Sequence, residues 1–153
     1  MKTKNKIIVA LVSFVGIVCL GGFYVGGFWH QNEIEITEVL KKQSSGGYLC
    51  LKNIEAGQVW NRMLILGPYD NIEHYEVDVS RGDKSGINSY SKYDSYCIIV
   101  LLSNEKVISY APIPRIPFDF TPTAGNYYSK DEIFALHKRD RHSFCVQPIE
   151  RTE

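Results

Sequence analysis

Tyr96-Cys-Ile-Ile-Val-Leu-Leu102, then Ser103-Asn104-Glu105, then Lys106-Val-Ile-Ser-Tyr110, is the stretch on which the fold turns. Seven consecutive apolar residues rich in β-branched types fit a strand covered on both faces, because a one-sided strand would alternate with polar positions. The polar triplet behind it supplies a turn, and Lys106–Tyr110 resumes apolar alternation. This pattern predicts a β-hairpin whose first strand lies at the centre of a sheet.

Working outward, Tyr48–Leu51 is a short apolar run that reads as a strand, and Met63–Leu66 is another, stopped by Gly67-Pro68. A short helix is expected next, with Asp70 or Asn71 as its cap and Glu73 in its first turn. Residues 80–95, SRGDKSGINSYSKYDS, are rich in Ser, Gly, Asp and Asn and read as an exposed loop. Pro112, Pro114 and Pro117 are expected to end regular pairing, since proline lacks an N–H for the ladder. Glu132–Lys138 and His142–Gln147 read as a second hairpin around Arg139-Asp140-Arg141. The expected class is α+β: one small domain built on an antiparallel sheet with one or two short helices, behind an N-terminal transmembrane helix.

The transmembrane helix is expected at residues 7–29, IIVALVSFVGIVCLGGFYVGGFW, which hold no charge over 23 positions. As a helix they extend about 34 Å, enough for a hydrocarbon core of about 30 Å. Lys2, Lys4 and Lys6 precede them and Glu33 and Glu35 follow, so the positive-inside rule places the N-terminus in the cytoplasm. Phe23, Tyr24, Phe28 and Trp29 suit the far interface. A cleaved signal peptide is the rival interpretation, but no A-x-A site follows the apolar run. Cys19 is preceded by Val18 and Gly16 where a lipobox wants a small residue and Leu. Gly22 and Gly26 form a GxxxG through which two spans could pack as a homodimer. The organisation expected is a tail at 1–6, a span at 7–29, a connector at 30–47 and an exported domain at 48–153. The localisation follows: a single-pass protein of the plasma or inner membrane with its C-terminal domain outside the cytoplasm.

Of 17 Lys and Arg, three sit in the tail, leaving 14 against 17 acidic residues, or −3 for the exported part. That balance excludes a nucleic-acid binder, which needs a concentrated basic face. No cofactor motif is present.

Trp60-Asn-Arg62, the Gly67-Pro-Tyr-Asp70 turn, the central hairpin, and Pro114-Arg115 leading to Asp119-Phe120 together resemble a pattern in small exported bacterial proteins of unknown role. The resemblance spans about residues 54–120. It implies an exported α+β domain and brings no activity. Some exported proteins of this size are periplasmic immunity proteins that block a toxin, which is one alternative role.

Three cysteines follow the span, each in an apolar stretch, and a Cys50–Cys145 disulfide is one possibility outside the cytoplasm. No CxxC occurs. His137 and His142 flank the charged turn and would be cross-strand neighbours in a tight hairpin. They are the candidate ligands of a second alternative, an exported metal-binding protein or enzyme, although two ligands make a poor metal site. No G-x-S-x-G occurs, and Arg81-Gly82-Asp83 suits a turn on composition alone. The residues with most binding character are aromatic. Tyr90, Tyr93, Tyr127 and Tyr128, with Trp60 and Arg62, are of the types that anchor protein interfaces. The expectation is a non-enzymatic binding module whose partner is another protein, with loop 80–96 and segment 112–128 as contact surfaces.

Overall fold

A computed structural model describes residues 36, 38–42, 47–54 and 59–149. The chain divides into two units, Met1–Gln31 and Asn32–Glu153, and every described residue falls in the second. The 7–29 segment, with Cys19, Gly22 and Gly26, therefore lies outside the described residues. Among those residues no helix is long and apolar enough to cross a membrane.

Among the described residues eight strands form two four-stranded sheets: β1 Tyr48–Cys50, β2 Arg62–Leu66, β3 Tyr96–Ser103, β4 Lys106–Pro114, β5 Phe118–Asp119, β6 Asn126–Ser129, β7 Ile133–Lys138 and β8 Phe144–Pro148. The central sheet has the order β4-β3-β2-β6 and the second sheet β1-β7-β8-β5. Pairing is antiparallel except between β5 and β8, which run parallel. With two short helices, this is an α+β domain as expected, but its strands make two sheets rather than one.

The β3 run is interior and both of its faces are dry. Cys97, Ile99 and Leu101 join Met63 and Ile65 of β2 in a core shared with Phe118, Phe134 and Val146 of the second sheet. Ile98, Val100 and Leu102 face the other way, toward Leu64, Leu66, Ile72, Ile87 and Tyr110. Side chains alternate along a strand, so one apolar run feeds two cores. The hairpin turns at Asn104, whose φ of 57° is left-handed and suits asparagine. Ile108 is the extra residue of a bulge, since Leu101 pairs with Ser109 and Leu102 with Val107.

The expected connector at 30–47 contributes to the core. Ile36 and Leu40, four apart in a helical segment, are buried in the cluster between the sheets. The domain thus begins before residue 48.

Residues 80–95 are not a loop. Arg81–Tyr90 is an α-helix, so the Arg81-Gly82-Asp83 triplet is its first turn. The Ser80 hydroxyl accepts from the Asp83 N–H at 3.1 Å and donates to the Asp83 carboxylate at 2.6 Å, a cap worth about 1 kcal/mol. The helix has poor intrinsic propensity, with two glycines and two serines. Tertiary packing overrides that deficit: Ile87 is fully buried, which stabilises by about 1.5–3 kcal/mol. At Gly86 the helix backbone meets Tyr110 of β4. An added Cβ would overlap the Tyr110 hydroxyl and come within 2.9 Å of ring carbon Cζ. The expected short helix at 71–73 is present as a single 3-10 turn, Ile72–His74. The Asn71 side chain caps it by accepting from the Glu73 N–H.

Pro112 and Pro114 also depart from expectation, because both lie within β4, opposite Ile98 and Tyr96. The register explains how. Arg115 N–H donates to Ser95 at 2.9 Å, so the odd-numbered positions here make the ladder bonds. The two prolines occupy non-hydrogen-bonded positions of an edge strand, where no N–H is required of them.

Gly86→Ala tests this packing. Helix propensity alone would gain about 1 kcal/mol, while overpacking a buried site costs about 1–3 kcal/mol. The overlap with a buried ring makes the second effect larger. Urea unfolding should show a net loss of stability; a gain would show that Tyr110 yields freely.

Candidate interaction site

The C-terminal ends of β2 and β4 and the N-terminal end of β3 meet at one end of the central sheet, because neighbouring strands are antiparallel. Segment 91–95, which enters β3, is the spine of this end. The Ser91 carbonyl accepts from the Tyr69 N–H at 2.6 Å, and the Ser95 carbonyl accepts from Arg115. The segment is flanked by two clefts. One, of ≈ 420 Å³, is lined by residues that include Tyr69, Asn88 and Lys92. The other, of ≈ 460 Å³, lies among Asp94, Arg115, Ile116, Asp119, Arg139 and Asp140.

Asp119 is the structural centre of the larger cleft. Its side chain is only 8 % exposed, yet each oxygen has donors. Arg115 grips it two-handed, Nε to Oδ1 at 3.0 Å and Nη2 to Oδ2 at 3.1 Å. Thr121 adds its N–H at 3.1 Å and its hydroxyl at 2.6 Å, both to Oδ1. Arg139, reaching from the β7–β8 turn, donates Nη1 to Oδ2 at 3.2 Å. Burial alone would raise the Asp119 pKa. The Arg115 and Thr121 hydrogen bonds outweigh it and bring the pKa down to about 2. Arg115 spends its remaining Nη1 donor on Asp94, at 2.9 Å to the carbonyl and 3.0 Å to the carboxylate. Asp140 turns back on its own loop, accepting from the His142 N–H and the Ser143 hydroxyl, each at 2.7 Å.

At this end of the sheet three large apolar side chains are left in solvent: Tyr69 of the smaller cleft at 73 % exposure, Ile116 of the larger at 71 %, and Tyr93, on the segment between them, at 60 %. Tyr69 also takes a left-handed φ of 66°, uncommon for an aromatic residue.

The residues expected to form an interface are distributed differently. Tyr93 is exposed at this end, and Tyr90 lies half-buried nearby, its ring edge-on to Tyr96 at 5.7 Å. Trp60 is 2 % exposed. It is a core residue whose indole N–H donates to the Ile54 carbonyl at 3.0 Å, under the Lys130 ammonium. Arg62 lies over the Tyr127 ring, 4.6 Å from its centroid. Tyr127 and Tyr128 are neighbours on β6 and so face opposite sides of the sheet. Tyr127 packs against the helix-side core, while Tyr128 packs on Phe134 and donates to the Thr123 carbonyl at 3.0 Å. These four side chains are occupied within the fold.

Cys50 and Cys145 cannot be bridged in this fold. Both strands flank β7, but Cys50 pairs with Ile133 and Cys145 with His137. Two strand spacings and four residues of offset put them about 16 Å apart, far beyond a disulfide's reach of about 7 Å. Among the described residues the cysteines form no disulfide, and burial pushes the Cys97 thiol pKa up. His137 pairs with Cys145, whereas His142 lies in the turn ahead of the start of β8. The turn is wider than the tight hairpin assumed, closed by Arg139 N–H to the Ser143 carbonyl at 3.0 Å. Both histidines are exposed, and the described residues contain no group of three or more ligating side chains placed for a metal.

The Arg115–Asp119 pair was visible in sequence only as the P-R…D-F pattern. Its signal was an arginine and an aspartate four apart around a proline; the pairing itself depends on the loop's path. No family model, curated protein or solved structure matches this chain.

The Asp119 network has a measurable pH signature. Folding lowers this carboxyl from 3.8 to about 2, a contribution of about 2 kcal/mol at neutral pH. It is fully present above about pH 4 and fades as pH falls through 2. Asp119→Asn should lower stability at pH 7 by about 2 kcal/mol and flatten the loss between pH 4 and 2. Denaturant melts across that range, followed by tryptophan fluorescence, check both; an acid limb as steep as the parent's would show that other carboxylates dominate.

Proposed function

We propose that this chain is a membrane-anchored exported protein that acts by binding another protein, through the end of the central sheet around Tyr69, Tyr93 and Ile116. The observation that supports it is three large apolar side chains at one sheet end, each more than half exposed: Tyr69 lining one cleft, Ile116 lining the other, and Tyr93 on the segment between them. Exposed apolar residues gathered at a polar-rimmed site, rather than scattered singly, mark interaction surfaces. The backbone beneath them is held by the Tyr69–Ser91 and Arg115–Ser95 hydrogen bonds, so a partner would meet a pre-formed surface.

The anchoring half of the proposal rests on the uncharged 7–29 segment and the three lysines ahead of it. The GxxxG at Gly22 and Gly26 offers a dimer contact between two such spans. The resemblance to small exported proteins agrees with this placement.

Two measurements test the two halves separately. A reporter that works only outside the cytoplasm, fused after Glu153, should be active; activity restricted to a cytosolic reporter removes the topology. Crosslinking and capture from intact cells should recover a partner with the parent chain and lose most of it with Tyr93→Ala/Ile116→Ala, while the thermal melt stays within a few degrees. Undiminished capture by that double variant would sink the proposed surface.

A further inference from the structure

The smaller cleft opens beside a turn whose conformation works against its sequence. Gly67-Pro68-Tyr69-Asp70 closes with the Asp70 N–H donating to the Gly67 carbonyl at 3.3 Å. Proline at its second position and a φ of 66° at Tyr69, its third, make it a type II turn. That third position suits glycine or asparagine, and an aromatic residue there carries backbone strain. Tyr69 recovers little of this cost from packing, since it is 73 % exposed. Its N–H bond to the Ser91 carbonyl would serve any residue other than proline equally well. The polar groups beside the ring keep both donors and acceptors in reserve. Asn88 accepts from the Ile72 N–H at 3.3 Å, which fixes the amide and leaves Nδ2 unspent among the described residues. The Lys92 ammonium is exposed and forms no ion pair among those residues. Asp70 accepts from the Gly67 N–H at 2.7 Å and from the Tyr75 hydroxyl, filling two of a carboxylate's roughly four lone-pair positions. Asn71 is spent on Glu73 and the Ser91 hydroxyl on the Ile87 carbonyl.

We propose that this cleft binds an uncharged saccharide ring stacked on Tyr69, with Asn88 and Lys92 donating to its hydroxyls and Asp70 accepting from them. This goes beyond the protein-binding surface proposed above, whose other members, Tyr93 and Ile116, it does not use. A sugar ring presents C–H groups on one face and hydroxyls around its edge, each of them donor and acceptor. The cleft is the complement: one aromatic face, with fixed polar groups of both kinds beside it. Its ≈ 420 Å³ falls within the about 300–1,000 Å³ of small-molecule sites. An anion fits less well, because Asp70 lines the cleft and Glu73 holds Asn71 beside it. An apolar peptide also fits less well, since Tyr69 is the one apolar side chain of the described lining.

The probes are linear trimers of glucose and of N-acetylglucosamine, offered to the full chain in a detergent without sugar headgroups and followed by ligand-observed NMR. At least one should bind with a dissociation constant of about 1 mM or tighter. Tyr69→Gly should weaken it about tenfold or more, yet melt at or above the parent temperature, because glycine suits the turn. Asn88→Asp keeps the acceptor for Ile72 and removes the donor, and Lys92→Met removes the ammonium; each should weaken binding about fivefold. Tyr93→Ala/Ile116→Ala should bind the trimer as the parent does. The proposal is overturned if neither trimer binds at about 10 mM, or if Tyr69→Gly binds like the parent or melts well below it. Unchanged binding by both Asn88→Asp and Lys92→Met overturns it too, as does adenosine displacing the trimer at lower concentration, which assigns the ring to a nucleobase. If no trimer binds while Tyr93→Ala/Ile116→Ala still loses the partner, this site falls and the protein surface stands. A bound trimer with undiminished capture by that variant gives the reverse.

Discussion

A strand of seven apolar residues cannot be left with one face in water, and the burial of β3 on both sides governs the layout of this domain. Each face demands its own cover, and the chain supplies two unlike solutions. On one side a second sheet, with Ile36 and Leu40, closes the core around Phe118, Phe134 and Val146. On the other a short capped helix, a 3-10 turn and the Tyr110 ring complete a smaller core. The result is three layers with the hairpin at the centre, and the loops that connect the layers are forced to the ends of the sheet. One of those ends holds the exposed apolar side chains and the charged cleft.

Asp119 ties these layers to one another. It belongs to the second sheet through β5, while Arg115 follows β4 of the central sheet and Arg139 follows β7. A buried carboxylate costs free energy in isolation, but two guanidinium groups and a threonine offset that cost and fix three chain segments at a single point. The same arrangement gives the cleft its polarity. Of its acids only Asp119 is drawn inward as a structural group, while Asp94 and Asp140 stay in solvent with Arg139.

The hairpins, the interior position of β3 and the α+β class were legible because they depend on local patterns: apolar runs, a polar turn and a charged turn. The Arg81–Tyr90 helix was not, because its sequence has the composition of a loop. A single cap and the burial of Ile87 against residues far along the chain decide its state. The prolines misled for a related reason: their effect depends on ladder position and strand order, which are properties of the assembled sheet. Aromatic residues were easy to find and hard to place. Trp60 and Tyr93 are equally suited to an interface by type, yet one lies in the core and the other in solvent. Tyr69 and Ile116 carried no signal beyond their proximity to proline-containing turns. The cysteine and histidine pairings failed on register, which a sequence with two hairpins of unknown turn length leaves open.

The prolines of β4 bring one more property to the molecule. An unpaired strand margin is a template on which another chain can stack, which is how many sheet proteins polymerise. On β4 the Val107 N–H is already given to the Asp78 carbonyl at 2.9 Å, and positions 112 and 114 have no N–H to give. A foreign strand approaching this margin finds missing rungs at one end and an occupied one at the other. For a domain with so apolar a central sheet, that protects against fibril growth from its most hydrophobic layer.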